Sequence, residues 1–538
     1  MLRISQLKLP VNHSKEALLK KVQKLLRCKC EPEIRVVRRS VDARKKPELF
    51  FSYVLDVSVK NEKEVFKHCD KKQVTLVEEK AYQFPVKDYQ GEKRPVIIGT
   101  GPAGLFCGYM LAQAGFRPIL LERGKDVDER TKDVLAFWEG GDLNPESNVQ
   151  FGEGGAGTFS DGKLNTLVKD KYGRNKEVLS VFVKHGAPEE ILYDYKPHIG
   201  TDVLTEVVRS MRKHIIELGG EVRFGAKVTG FEVRDGCVKA VVINEKEKLS
   251  AETVVIAVGH SARDTFQVLY DMGLEMESKP FAVGFRVEHP QELINLSQYG
   301  AVENEILGSA PYKVTAQTSA GRGVYSFCMC PGGYVVNASS EEGRLAINGM
   351  SYSGRNGKNA NSAIIVSVSP EDFPSSHPLA GVEFQRTLEE KAYQIGNGSI
   401  PIEKYGDFKA AVRMESEVLL DETEVSVCVE EMTPSVKGKW LMAPVHEIVT
   451  KEMNRSFAEG MEHFGKIIPG FNHDNVLVEG IESRTSSPLR IGRDNETLQT
   501  KIRGLYPCGE GAGYAGGITS AAMDGIKVAE VIAKQMMN

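Results

Sequence analysis

Residues 95–124 read PVIIGTGPAGLFCGYMLAQAGFRPILLERG. A short apolar strand over 96–98 runs into a glycine turn, Gly99-Thr100-Gly101-Pro102-Ala103-Gly104. The turn opens a helix with Ala103, Cys107, Met110, Leu111 and Ala114 on its apolar face, and Gly115 stops it. A second strand over 118–121 ends at Glu122, 23 positions after Gly99. The order strand, glycines, helix, strand, acid predicts a βαβ unit with a GxGxxG first turn. Gly99 permits the tight turn, Gly101 lets the backbone approach a pyrophosphate, and Gly104 lets helix and strand pack closely. The helix N-terminus offers free N–H groups and the positive end of its dipole to phosphates. Glu122, and Arg123 beside it, stand where a ribose would be held. A dinucleotide is expected here, and the turn alone does not say which one.

The chain around this unit has 538 residues, too many for one core, so two to four domains are expected. With 41% hydrophobic and 26% charged residues it reads as ordinary globular protein. No apolar run approaches the roughly 18 residues of a membrane helix. The N-terminus, MLRISQLKLP, lacks the apolar core and cleavage site of a signal peptide, so a cytoplasmic location without membrane partners is expected. The nine cysteines are scattered with no CxxC, and Cys28-x-Cys30 and Cys328-x-Cys330 have the wrong spacing for a zinc knuckle, so no metal site is expected. Charge is uneven. Residues 1–94 hold 23 Lys and Arg against 13 Asp and Glu, whereas the whole chain carries −4, so a basic module precedes an acidic body.

Within the basic module, hydrophobic spacing predicts strands over 3–10, 33–39, 49–59 and 73–78 and helices over 15–26 and 62–69. The order βαββαβ resembles a ferredoxin-like fold. Arg35, Arg38, Arg39, Arg44, Lys45 and Lys46 could contact RNA phosphates, or could form a solvated or docking face. After the βαβ unit, residues 149–166 read VQFGEGGAGTFSDGKLNT, where Gly154, Gly155, Ser160, Asp161 and Lys163 suit an anion nest or a flat ring. A helix over 203–217, strands over 221–224, 227–234 and 237–244, and the apolar strand TVVIAVGH ending at Gly259 and His260 complete this half. Residues 266–471 change texture, with no second GxGxxG, and are expected to be an inserted substrate domain. There the segment NANSA, 359–363, reads as a helix cap or ligand loop. The chain ends on GLYPCGEGAGYAGGITSAAMDGIKVAE, 504–530: a strand, the glycines Gly509, Gly511 and Gly513 around Glu510, then a helix starting near Gly516, Gly517 and Ile518.

Three motifs, the βαβ unit at 96–122, the strand ending at Gly259 and the block at 505–522, resemble the FAD-binding fold of the glutathione-reductase class. The segments GEGGAGTFSDGKL, SFCMCPGGYVVNASS and ESRTSSPLRI are similar to a bacterial family of FAD-dependent dehydrogenases with an N-terminal ferredoxin-like domain. The resemblance implies FAD in the GxGxxG site and four regions: a basic ferredoxin-like domain over 1–90, an FAD domain over 94–265 and 472–538, and a β-rich insert over 266–471. It also implies pyrophosphate contacts at Gly99, Gly101, Pro102, Ala103 and Gly104, and a ribose acid at Glu122. Gly155 and Thr158 would lie by the flavin and Val228 by the adenine, with Gly509, Glu510 and Ile518 at the far end. Unlike glutathione reductases, the chain has no second dinucleotide motif and no redox cysteine pair, so NAD(P)H, if it donates electrons, must bind transiently.

Flavin carries hydride chemistry, and side chains must hold the substrate and move protons. Arg484, Arg286 and Arg490 read as anion clamps, because guanidinium grips carboxylate or phosphate in a fork, or else as structural ion pairs. Cys330 reads as a proton donor or an inert buried thiol. His198, His446 and Tyr352 read as acid–base groups or as structural residues. The expectation is an FAD-dependent oxidoreductase acting on a C–C or C–N bond of an anionic small molecule. An RNA-modifying flavoenzyme and a redox sensor without turnover are the alternatives.

Overall fold

The computed structural model describes residues 1–28, 31–78, 81–415 and 427–537, so Cys30 lies outside the described residues. The first domain runs β1 (Leu2–Pro10), α1 (Lys15–Leu26), β2 (Glu33–Lys45), β3 (Glu48–Ser58), α2 (Glu62–Lys67), β4 (Val74–Leu76). The strands stand in the order β2-β3-β1-β4, every pair antiparallel. Leu2, Ile4, Leu7 and Leu9 all face the core because a bulge between Ile4 and Leu7 resets the two-residue alternation. α1 begins where Ser14 caps the Ala17 N–H at 3.2 Å, and its Val22 and Leu26 close the core.

The basic cluster is largely spent on internal pairs. Arg35 and Arg3 share Asp56 at 2.8 and 2.7 Å, and Arg44 grips Asp42 at 2.7 Å. Lys46 donates to the carbonyl of Ser297. Arg39 docks the domain on the rest of the chain: its guanidinium grips Asp194 at 2.7 and 3.0 Å, and its backbone exchanges hydrogen bonds with Tyr193 and Tyr195. Arg38, Lys45 and Lys46 are the cluster members with no ion pair among the described residues.

The second domain contains β5 (Val96–Ile98), α3 (Pro102–Gln113), β6 (Ile119–Leu121), α4 (Val127–Trp138), α5 (Arg174–Lys184), α6 (Thr201–Glu217) and β7 (Glu221–Arg223). The antiparallel strands β8 (Val228–Arg234), β9 (Cys237–Ile243) and β10 (Glu247–Ser250) follow, then β11 (Val254–Ile256). A wholly parallel sheet has the order Leu505–Pro507, β11, β5, β6, β7. Its central strands are VII, ILL and VVI, buried throughout, as expected of a sheet covered on both faces. α3, α5, α6 and the C-terminal helix Ile518–Met537 pack one face, and β8–β10 with helix Arg263–Asp271 cover the other. Gly104 is obligatory, since a Cβ there would stand 1.9 Å from the Gly99 carbonyl oxygen.

The third domain is built on a seven-stranded sheet ordered Thr315–Gln317, Gly323–Cys330, Asn359–Val368, Phe281–Pro290, Leu477–Glu482, Ile400–Lys404, Trp440–Met442. Three long helices, Ala380–Ile395, Tyr405–Glu415 and Lys451–Ile467, pack with it, so the insert is mixed rather than purely β-rich. Two further expectations change. The insert extends past 471, because Leu477–Glu482 is hydrogen-bonded between two of its strands, and the return to the FAD domain comes with Leu489–Ile491. NANSA is neither cap nor loop but the first half of a buried central strand. Its polar side chains fit there because Asn359 donates to Glu288 and Asn361 accepts from Arg286 at 2.6 Å.

Candidate active site

A cavity of about 460 Å³ lies at the C-terminal ends of β5, β6 and β11 and is walled on its far side by the insert. This is where open parallel sheets bind ligands. Of the expected cofactor contacts, Gly99, Gly101, Pro102, Ala103, Glu122 and Arg123 line one end, with Val228 beside them. Gly155, Lys163, Gly259, Glu510, Gly516, Gly517 and Ile518 line the remainder. Four expected contacts stand behind the wall. Gly104 supports the turn, Gly154 turns with φ +83°, buried Thr158 donates to the Glu153 carbonyl at 3.3 Å, and the Gly509 N–H donates to Asp524 at 2.9 Å.

Glu122 does something the sequence does not announce. Its carboxylate accepts from Thr100 N and Oγ1 at 2.9 and 2.8 Å, and from the Gly124 and Gly152 N–H groups, both at 3.0 Å. A carboxylate has about four lone-pair sites, so this one is committed to tying the glycine turn to the 149–157 loop. Arg130, wholly buried, completes the scaffold. It donates to the carbonyls of Asn148, Val149, Glu153 and Gly155 at 2.6–3.0 Å, and burial pulls it down to about 10. Nothing in the helical stretch around Arg130 marks it in the sequence.

The five expected catalytic side chains do not converge. Arg484 lines the cavity, but Nε and Nη2 grip Glu389 at 2.9 and 2.8 Å while Nη1 reaches Ser340 and Ser261. It is a structural ion pair, not a free clamp. Arg286 is fully buried behind the wall, bound to Glu482 at 2.8 Å and to Asn361. Cys330 is also buried, its thiol donating to the Cys328 carbonyl at 3.2 Å, and burial pushes its pKa up. His198 lies outside the cavity lining against the Ser353 carbonyl, and burial followed by Arg355 pulls it to about 4. Tyr352 is half exposed against Tyr334, with a pKa raised mainly by burial. Arg490 is exposed, with Glu277 at 3.8 Å and its guanidinium over the Tyr514 ring at 5.4 Å, and His446 pairs with Glu403 at 2.7 Å. The sequence types suit the chemistry, but partners far along the chain claim them.

Other groups face the cavity instead. Glu482 lines it and accepts from Arg286, and burial raises its carboxyl above the ordinary range. His260 sits 3.2 Å from Glu510 through Nδ1, while its buried Nε2 has no partner among the described residues. Asp161 meets Lys163 at 2.9 Å and also Ser351 and Arg355; burial opposes its ionisation, but Lys163 and Arg355 hold it at about 2.

The residues present fit a dinucleotide cofactor. The Gly101 N-cap of α3 has no side chain on its free N–H groups, and a Cβ built there would meet nothing nearer than 3.9 Å, facing open cavity. Gly259, Gly516 and Gly517 have nothing within 4 Å of a built Cβ, and the orphaned His260 Nε2 asks for a partner.

Comparison with known proteins agrees. Residues 280–485 match the family described as FAD-dependent protein, C-terminal domain-like, a span that ends just past the last strand of the inserted sheet. Residues 1–58 match a domain of unknown function. A Clostridium beijerinckii protein described as uncharacterized is 45% identical over 99% of this chain and 98% of its own. The chain belongs to one family with the Clostridium beijerinckii protein, and its residues 280–485 carry the C-terminal domain of the FAD-dependent protein family. Among solved structures it is similar to L-proline dehydrogenase from P. horikoshii (TM-score 0.35, 14% identity, 84% of this chain and 94% of that one). It is also similar to glycine oxidase from Bacillus cereus (0.33, 11%, 82% and 96%). Overlap so loose leaves the activity to the site itself. Among the described residues no helix is long and apolar enough to cross a membrane.

The open space at Gly101 makes a prediction. Gly101→Ala should leave the flavin-free protein within about 1 kcal/mol of the wild type, since only a weaker N-cap results. Its FAD affinity should fall roughly tenfold to a hundredfold, because the methyl group intrudes where phosphate would approach. Fluorescence titration of the stripped protein with FAD, beside a thermal melt, measures both. Gly104→Ala should damage both quantities.

Proposed function

We propose that the protein is an FAD-dependent oxidoreductase that moves hydride between flavin and a C–C or C–N bond of an anionic small molecule. The observation that carries this reading is the single cavity that joins the glycine turn and the α3 N-terminus to a polar wall of the inserted sheet. The parallel order of the central sheet supports a glutathione-reductase-class FAD domain, and the order β2-β3-β1-β4 supports a ferredoxin-like first domain. Bound FAD would supply the hydride chemistry. Gly101, Ala103 and the α3 N–H groups would hold its phosphates, and Gly516, Gly517 and Ile518, at the start of the C-terminal helix, would meet its other end.

The chain's own part is to position substrate and handle protons. Glu482 is a carboxyl at the cavity wall placed to take part in proton handling, since burial raises it and Arg286 limits the rise. Electrons would come from the substrate itself or from transiently bound NAD(P)H.

The test is anaerobic mixing of the purified, flavin-loaded protein with NADH and then NADPH, following the visible band of oxidised flavin. Rapid bleaching identifies a nicotinamide-driven reductase; no bleaching directs the search to donors that are themselves substrates. Protein that neither retains nor takes up FAD would sink the reading.

A further inference from the structure

Arg484 and Arg286 are consumed by ion pairs and Arg490 lies outside the cavity lining, yet the cavity is not short of positive charge. Four Lys and Arg side chains line it. Arg123 is paired with Asp264 at 2.8 Å, Lys163 with Asp161 at 2.9 Å and Arg484 with Glu389 at 2.8 Å. Lys313, the fourth, has no ion pair among the described residues. It is fixed at the wall because the next residue, Val314, donates its N–H to Ser326 Oγ at 2.9 Å, and Ser326 is itself a wall residue.

Two more cations, Arg355 and the exposed Lys196, flank the loop that carries Lys163. Arg355 reaches Asp161 from the other side, its Nε 3.0 Å from the carboxylate. Lys196 lies on the strap that Arg39 of the first domain holds through Asp194. That strap is stitched to the cavity loop, with Leu164 N–H donating to the Pro197 carbonyl at 3.0 Å and Asn165 Nδ2 to the Tyr195 carbonyl at 3.0 Å. Burial first, then Arg355, Lys313 and Lys163, pull Lys196 below its ordinary value, with no carboxylate acting in the opposite direction. His198, at about 4, adds no charge at neutral pH. Lys163 and Arg355 thus share the single carboxylate of Asp161, and neither Lys313 nor Lys196 has an ion pair among the described residues.

We propose that Lys313 and Lys163, backed by Lys196 and Arg355, form the anion subsite of this cavity, and that the substrate carries a group of at least two negative charges, a phosphate ester or a dicarboxylate. The assignment rests on the oxidoreductase reading for its meaning and deepens it, but the binding itself does not need flavin. Ammonium groups bind as point charges without the planar preference of guanidinium, so the array selects charge rather than carboxylate shape. Lys313 supplies the uncommitted charge. Asp161 keeps Lys163 and Arg355 in place by taking up part of their repulsion.

The experiment is a titration of the full-length protein with inorganic phosphate and, separately, with succinate. Binding is read by thermal shift and by perturbation of the flavin spectrum, with flavin content measured in the same samples. Wild type should bind at least one probe saturably, and sodium chloride should weaken the binding. Lys313→Ala should lower that affinity roughly tenfold or more, and Lys313→Glu should abolish it. Lys248→Ala, in a surface pair with Glu232, should change nothing. The probe that binds more tightly names the class. Equal affinity in wild type and both Lys313 variants, or no saturable binding of either probe, overturns the proposal. If flavin is missing while the thermal shift persists, the oxidoreductase reading fails and the anion site stands.

Discussion

Glu122→Ala is expected to lose FAD and to unfold at a lower temperature even when no flavin is present. The side chain accepts four hydrogen bonds from Thr100, Gly124 and Gly152, all buried. Removing it leaves donors that water cannot easily reach, and each costs about 1–3 kcal/mol. The expected loss is therefore at least about 3 kcal/mol in the stripped protein, with FAD affinity down roughly a hundredfold or more. Glu122→Gln should recover little, because its amide nitrogen would face donors rather than acceptors. The two roles conceivable for this residue separate cleanly. An acid that only held a ribose would weaken FAD binding and leave the flavin-free melting temperature unchanged. An unaltered melt would therefore return Glu122 to the ribose and remove it from the loop.

That distinction marks how far the sequence could be read. The βαβ unit at 96–122 is local: its strands, turn and helix are adjacent in the chain, and their chemistry forces one arrangement. The same holds for the strand and helix at 505–537, where glycines and small residues announce close packing. Glu122 was legible as an acid in the right place, but its partners were not, because Gly152 reaches it from 30 residues away. The partners of the expected catalytic side chains were illegible for the same reason on a larger scale. Arg484 meets Glu389 across 95 residues, and Arg286 meets Glu482 across 196. A guanidinium free to bind substrate and one locked in an ion pair look identical in a sequence. NANSA misled because polar residues in a central strand require polar partners, and those lie on neighbouring strands. Lys313, in the unremarkable segment PYKV, carried no local signal at all. Its significance comes from the absence of an ion-pair partner among the described residues.

The other large effect is expected at Glu389. Arg263 and Arg484 both grip this fully buried carboxylate in forks, Arg263 at 2.9 and 2.7 Å and Arg484 at 2.9 and 2.8 Å, and Ser483 adds a hydrogen bond at 2.7 Å. Arg263 begins a helix of the FAD domain, whereas Glu389 and Arg484 belong to the insert side, so the cluster fastens the two halves of the cavity together. Glu389→Ala strands two buried guanidinium groups, and breaking a buried pair costs about 3–5 kcal/mol. The variant should melt well below wild type, and its cavity should lose FAD as a consequence of the domains parting. Arg484→Ala should be milder, because Arg263 still neutralises the carboxylate and Glu341 still contacts Arg263 at 2.6 Å. The cluster also has a pH signature. Burial works against ionisation of Glu389, but Arg263 and Arg484 hold it well below the usual carboxylate range. The folded state thus releases this proton more readily than the unfolded state. The stabilisation is complete above the ordinary glutamate value and is lost as pH falls from about 5 downward, where the unfolded chain takes up the proton first. Melting temperature against pH should therefore fall steeply on the acid side in wild type and less steeply in Glu389→Gln, which has no proton to exchange. Equal acid slopes would show that Glu389 is not the group linking protonation to unfolding.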